Sequence, residues 1–276
     1  MSDFHMTRRT LLGAGVATIG TSGLARQPSE ESGMTHTRQP EDVLPAALQD
    51  HWYNAARYQP DRPLEDFEPS RAALVLIDLI NWQTASDGAS VRSVRDAGLD
   101  QAADYLIARC AETVLPNLHA LLPAARNAGV QVIHARLASR HPDYLDIVPA
   151  LRAYVRAAGA QDGSRACEPL PGLAGPRDLS VVKSGSGAFT ATDLDALLRR
   201  LKIDTVLYAG VVTNACVMLT VAGGFDLGYR QYLITDCTGA LSEKDQSEAE
   251  RFMRTYLAEP VGAAQVVAVL RARGRS

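Results

Sequence analysis

The chain is poor in cysteine. Only Cys110, Cys167, Cys216 and Cys237 occur in 276 residues. They are too few and too scattered for a disulfide framework. No two form a C-x-x-C pair, which argues against a zinc ribbon or a dithiol redox motif. The chain also lacks an apolar run of about 20 residues, so no transmembrane helix is expected. It lacks an excess of charge. Lys and Arg number 28 against 31 Asp and Glu, a formal net charge of -3. That balance gives no electrostatic footprint for nucleic acid or an anionic membrane. No internal repeat is present. What remains is 46% hydrophobic and 21% charged, the balance of a soluble globular protein with a sizeable core. The length fits one large domain or two small ones.

Three regions differ in character. Residues 1–25 hold a basic start with Arg8 and Arg9, a short glycine-rich apolar run, and small residues at Gly23 and Ala25. That order of parts describes a signal peptide, and the paired arginines resemble a twin-arginine export signal. Periplasmic localisation is the expectation, with a cytoplasmic protein and a disordered tail as the alternative. Residues 26–66 are polar and broken by Pro28, Pro40, Pro45, Pro60 and Pro63. They read as a linker followed by an arm carrying Trp52, Tyr53 and Tyr58, which packs on the domain or on a neighbouring subunit, with a plain surface segment as the alternative. Residues 67–276 read as the folded domain.

Within the domain, residues 72–78, AALVLID, form a near-continuous apolar run ending in a carboxylate. Such a run suits a strand buried on both faces, as in a parallel sheet. A helical pattern over residues 99–128, interrupted by Pro116 and stopped by Gly129, precedes a second strand at 130–135. This early β-α-β argues for a right-handed crossover. Further strands are expected at 179–183, 205–209, 231–236 and 260–262. Helices are expected at 147–158, 194–201 (capped by Thr192 or Asp193), 216–227, 243–257 and 264–273, the 243–257 helix exposed and charged. Residues 136–178 form an insertion after a strand's carboxyl end, where it could line a pocket. His134, His141 and Asp143 show no firm metal-ligand spacing.

Parallel strands place all their carboxyl ends on one edge, where open α/β sheets keep their sites. Asp78 ends the first strand, Lys183 the third, and Cys216 follows the fourth across the turn Gly210-Val211-Val212-Thr213-Asn214. A thiol at a strand-to-helix turn meets unpaired N–H groups, which favours the thiolate. A free cysteine is otherwise commonly buried and inert. An acid, a base and a thiolate are what nucleophilic attack on an amide carbon needs.

The pieces VLIDLIN around Asp78, VVKSGSGAFTATDLDALL around Lys183 and AGVVTNACV around Cys216 resemble the isochorismatase-like cysteine hydrolases, from about Arg71 to the C-terminus. The resemblance implies an α/β fold in three layers, a mostly parallel six-stranded Rossmann-like sheet with helices on both faces. It implies an Asp78–Lys183–Cys216 triad, a non-proline cis peptide between Val211 and Val212, and an oxyanion hole from the N–H groups of Val212 and Cys216. Many members read D-x-Q-N-D-F after the first strand. Here Asn81 matches, while Ile80 and Gln83 depart. Asn81, Trp82 and Phe189 are the pocket candidates; core packing is the alternative for Trp82 and Phe189. Isochorismatase itself lacks the nucleophilic cysteine. Nicotinamidases carry an Asp-x-His that is missing from HARLASRHPDY, so no metal and no cofactor are expected. The ureido and carbamoyl amidohydrolases remain, with a small amide or ureido compound as partner and a dimer or tetramer as the assembly. Two other classes stay open: a thiol redox or peroxide-sensing protein with Cys237 resolving Cys216, and a non-catalytic binding protein on the same fold.

Overall fold

The computed structural model describes residues 63–273. The signal reading and the three arm aromatics lie outside the described residues. The strands are β1 (Ala72–Ile77), β2 (Gln131–Leu137), β3 (Leu179–Lys183), β4 (Thr205–Val211), β5 (Arg230–Gly239) and β6 (Glu259–Val261). They form one sheet in the order β3-β2-β1-β4-β5-β6, and every pairing is parallel. The chain therefore builds outward from β1 to β3, then crosses back to β4 beside β1 and builds the other way. The carboxyl ends of β1 and β4 flank that reversal, the usual place for a crevice.

All six residues of β1 are buried. Its side chains alternate between two cores because successive Cβ atoms point to opposite faces. Ala72, Leu74 and Leu76 join one cluster, with α3 (Asp100–Arg109), α4 (Leu115–Asn127) and α9 (Ala263–Arg273) supplying Leu106, Leu118 and Leu270. Ala73, Val75 and Ile77 join the other, with Leu198, Val221 and Met253 from α6 (Leu194–Arg200), α7 (Met218–Asp226) and α8 (Glu243–Tyr256). Two shorter helices follow β1, α1 (Asn81–Thr84) and α2 (Ala89–Asp96); α5 (Pro149–Ala157) lies in the insertion. This is the three-layer α/β arrangement expected from the sequence.

The finer differences have local causes. The helical stretch divides into two just before Pro116. A π-helical turn at Cys110–Val114 joins α3 to α4, and Pro116 falls in the first turn of α4, where no N–H is needed. Helix α8 is not exposed all round: Gln246, Ala249 and Met253 are buried on its inner stripe. Strand β4 runs past the expected Ala209 because Gly210 adopts φ +132°, and a Cβ there would lie 2.1 Å from the Ile77 carbonyl oxygen. Only glycine lets β4 close so tightly on the end of β1. Beside it, β5 bulges: Tyr208 pairs with Leu233, yet Gly210 pairs with Thr238. The insertion builds its own small core, in which Tyr144, Ile147 and Val155 pack on Ile80, Trp82 and Val182.

Candidate active site

Asp78 is the first residue past β1, and it sits at φ 55°, a left-handed conformation uncommon outside glycine. The chain turns sharply there, and β2 holds it on both sides. The Asp78 N–H donates to the Ala135 carbonyl at 2.9 Å, and the Leu137 N–H donates to Asp78 Oδ1 at 2.8 Å. From α1, the Thr84 hydroxyl donates back to the Asp78 carbonyl at 2.8 Å.

Lys183 ends β3, two strands away, and is fully buried. Its Nζ stands 2.6 Å from Asp78 Oδ2. It donates to the Gly185 carbonyl at 3.2 Å and to Cys216 Sγ at 3.5 Å. Asp78 Oδ2 is buried and accepts no hydrogen bond of good geometry beyond this ion contact. Burial by itself would lower the Lys183 pKa. The charge of Asp78 leads in outweighing it and leaves the ammonium raised above its ordinary value.

Cys216 lies in a π-helical turn, Thr213–Val217, between β4 and α7. The Val211–Val212 peptide before it is cis, as the resemblance implies. The Val212 carbonyl accepts from Ala215 at 3.0 Å and Val217 at 3.3 Å, skipping the N–H of Cys216. No acceptor among the described residues takes the N–H of Val212. The thiol corrects one expectation. Burial first, then the charge of Asp78, pushes it up to about 12 against the opposing pull of Lys183. The resting group is a thiol. At this site desolvation outweighs the favourable potential of a helix start.

The pocket candidates separate. Asn81 is half-buried and donates to the Arg165 carbonyl at 2.8 Å. The Trp82 indole is buried, donates to the Leu137 carbonyl at 3.1 Å, and meets the Tyr154 ring edge-on at 5.2 Å between centroids. Phe189 stacks on Tyr229 at 5.6 Å, and its Cβ would lie 3.2 Å from a Cβ at Gly223 of α7. Trp82 and Phe189 thus pack within the fold, because the insertion and α7 cover them. Tyr154 was not foreseen. Its hydroxyl donates to Ser90 at 2.5 Å. Its phenol is raised by burial first and also by the charge of Asp78. Of the histidines, His134 bonds to Asp178 at 3.1 Å, and His141 Nδ1 accepts from the Asp143 N–H at 3.0 Å. Cys237 belongs to the core on the opposite sheet face from Cys216.

The parallel sheet gathers a carboxylate, an ammonium and a thiol at its reversal point, which defines an α/β protein with a candidate site there. The comparisons narrow this class. The Isochorismatase domain matches residues 72–265, and the chain belongs to the isochorismatase family. It is 35% identical over 111 residues to the isochorismatase family protein YwoC of Bacillus subtilis strain 168, covering 40% of this chain and about half (48%) of that relative. It is 30% identical over 190 residues to the ureidoacrylate amidohydrolase RutB of Pantoea ananatis, covering 62% of this chain and 70% of the relative. A cysteine hydrolase structure from Pseudomonas syringae superposes with TM-score 0.62 at 24% identity, over 77% of this chain and 99% of that one. That likeness bears on the fold.

Proposed function

We propose that this protein is a cysteine amidohydrolase that cleaves a C–N bond beside a carbonyl in a small amide or ureido compound. The observation that carries the reading is Lys183 Nζ, 2.6 Å from Asp78 Oδ2 and 3.5 Å from Cys216 Sγ, with all three residues buried. The amidohydrolase relative supports the bond class.

The chemistry follows from the protonation states. The Cys216 thiol is neutral at rest, so a base must take its proton as it attacks. Asp78 is that base, through the oxygen that accepts no well-formed hydrogen bond. Lys183 stays charged and holds the carboxylate in place while the proton arrives. Sulfur bonds to the carbonyl carbon, and the carbonyl electrons move to oxygen. The N–H groups of Val212 and Cys216 stabilise that oxyanion, each worth about 3 kcal/mol in comparable sites. Asp78 then gives its proton to the leaving nitrogen, and a thioester forms. Water attacks the thioester with Asp78 as base, releasing the acid and the thiol.

The test is ammonia or amine release from a panel of ureido compounds and simple amides, wild type against Cys216→Ala. Retained turnover in Cys216→Ala would sink the mechanism. The redox reading is disfavoured because the sheet lies between Cys216 and Cys237, which puts Cys237 out of reach as its resolving thiol. We also propose twin-arginine export to the periplasm and a homo-oligomeric state. Export of an already folded chain would keep the buried thiol protected in an oxidising compartment. A reporter fusion that is still exported after Arg8 and Arg9 are changed to Lys removes the first proposal. A monomer mass by light scattering removes the second.

A further inference from the structure

We propose that Gln246 of α8 is a positioning residue for the turn that carries Cys216, acting through Thr213; this rests on the cysteine amidohydrolase reading. Thr213 is fully buried and opens the π-helical turn, between the amides of Val212 and Cys216. Its hydroxyl donates to Gln246 Oε1 at 2.8 Å. Gln246 is buried as well. Its Nε2 donates to Thr238 Oγ1 at 3.0 Å and to Glu250 Oε1 at 2.6 Å. Thr238 spends its own proton on the Thr235 carbonyl at 3.2 Å.

These contacts fix the direction of every proton. A hydroxyl has one donor, and that of Thr238 is used, so it must accept from Gln246. An ionised Glu250 accepts only. Both therefore demand the NH₂ end of the Gln246 amide, and the oxygen end is left for Thr213. The far end is anchored too. Arg109 of α3 donates to the carbonyls of Thr238 at 2.9 Å and Thr235 at 3.0 Å, and stands 3.8 Å from Glu250. Thr213 thus has one acceptor, held in one orientation by α3, α8 and the bulge of β5. The turn it opens supplies the N–H groups proposed to meet the oxyanion. Oriented donors stabilise charge only when aimed in advance.

Two probes separate this role from mere folding. Acetylation of Cys216 by p-nitrophenyl acetate passes through a tetrahedral oxyanion, with p-nitrophenolate leaving. Alkylation by iodoacetamide displaces iodide at a saturated carbon and forms no oxyanion. Thr213→Val and Gln246→Leu should each slow acetylation by about tenfold or more, in line with the cost of small misplacements. Alkylation should stay within about twofold of wild type, since no oxyanion donor takes part. Thr213→Ser should restore most of the acetylation, and the double variant should be no slower than Gln246→Leu alone. Unchanged acetylation in Thr213→Val and Gln246→Leu would overturn the proposal. So would acetylation and alkylation falling together, or Thr213→Ser as slow as Thr213→Val. A parallel Cys216→Ala sample separates the two claims. If it loses acetylation while Thr213→Val does not, only the positioning role fails. If it is acetylated like wild type, the nucleophile reading fails and the positioning role with it.

Discussion

Asp78 and Asp178 both keep their side chains from solvent beside a cation, and the fold equips them differently. Asp178 accepts from Arg126 Nε at 3.1 Å and Nη2 at 2.6 Å, from His134 Nε2 at 3.1 Å and from the Gly175 N–H at 2.8 Å. Although burial alone would raise its pKa, these bonds, led by Arg126, hold the carboxyl below its usual value. Asp78 accepts one backbone N–H on Oδ1 and faces the Lys183 ammonium with an Oδ2 that receives no well-formed hydrogen bond. A carboxylate held by four donors stabilises structure. One held by a single backbone N–H and one ammonium, next to a thiol, can take a proton. Burial and a nearby cation do not distinguish the two; the count of donors does.

The largest effect should be on turnover. Cys216→Ala should lower kcat by roughly 10⁴-fold or more, and Asp78→Asn by roughly 10²- to 10⁴-fold. Asp178→Asn should keep kcat within about threefold, since it takes no part in proton transfer. Ammonia release on one substrate measures all three, and an Asp178→Asn loss equal to that of Asp78→Asn would erase the distinction.

Next in size is Lys183→Met, which leaves Asp78 buried without its counter-ion. It should cost about 3–5 kcal/mol of stability, read as a fall in urea midpoint. Adding Asp78→Asn should recover part of that loss, because the unpaired charge is then gone. No recovery would mean that the ammonium matters for packing alone.

Asp178→Asn should cost about 2 kcal/mol, the scale of bonds to a charged group. The smallest effect is pH-dependent. Burial first lowers the His134 pKa, although Asp178 pulls the other way. The unfolded chain therefore binds this proton before the folded one does, and stability rises with pH across the interval. The contribution is whole above the unfolded value of about 6.5 and is lost as pH falls toward the folded value. His134→Gln should flatten the urea midpoint between about pH 7 and 5. An equally steep slope in that variant would assign the effect elsewhere.

Much of this was legible in local pattern. The apolar run 72–77, the glycine stop at 129 and the strand at 179–183 follow from short-range periodicity and backbone preference. Those same signals put Asp78 and Lys183 at strand ends and Cys216 in a turn. Gln246 was less legible. It shares a stripe with Ala249 and Met253 on a helix rich in charge, and a polar residue on that stripe was the one available signal. Trp82 and Phe189 were ambiguous because either packing or a pocket accepts an aromatic ring.

The sequence by itself determined the strands, the parallel class of sheet and the three residues proposed to carry the chemistry. The tertiary structure decided the state of that chemistry. It set the 2.6 Å approach of Lys183 to Asp78, the neutral thiol of Cys216 and the one orientation of Gln246. The physical reason is that periodicity is a property of neighbours along the chain. Desolvation and lone-pair satisfaction instead sum over groups far apart in it, here on strands that meet only once the sheet has formed.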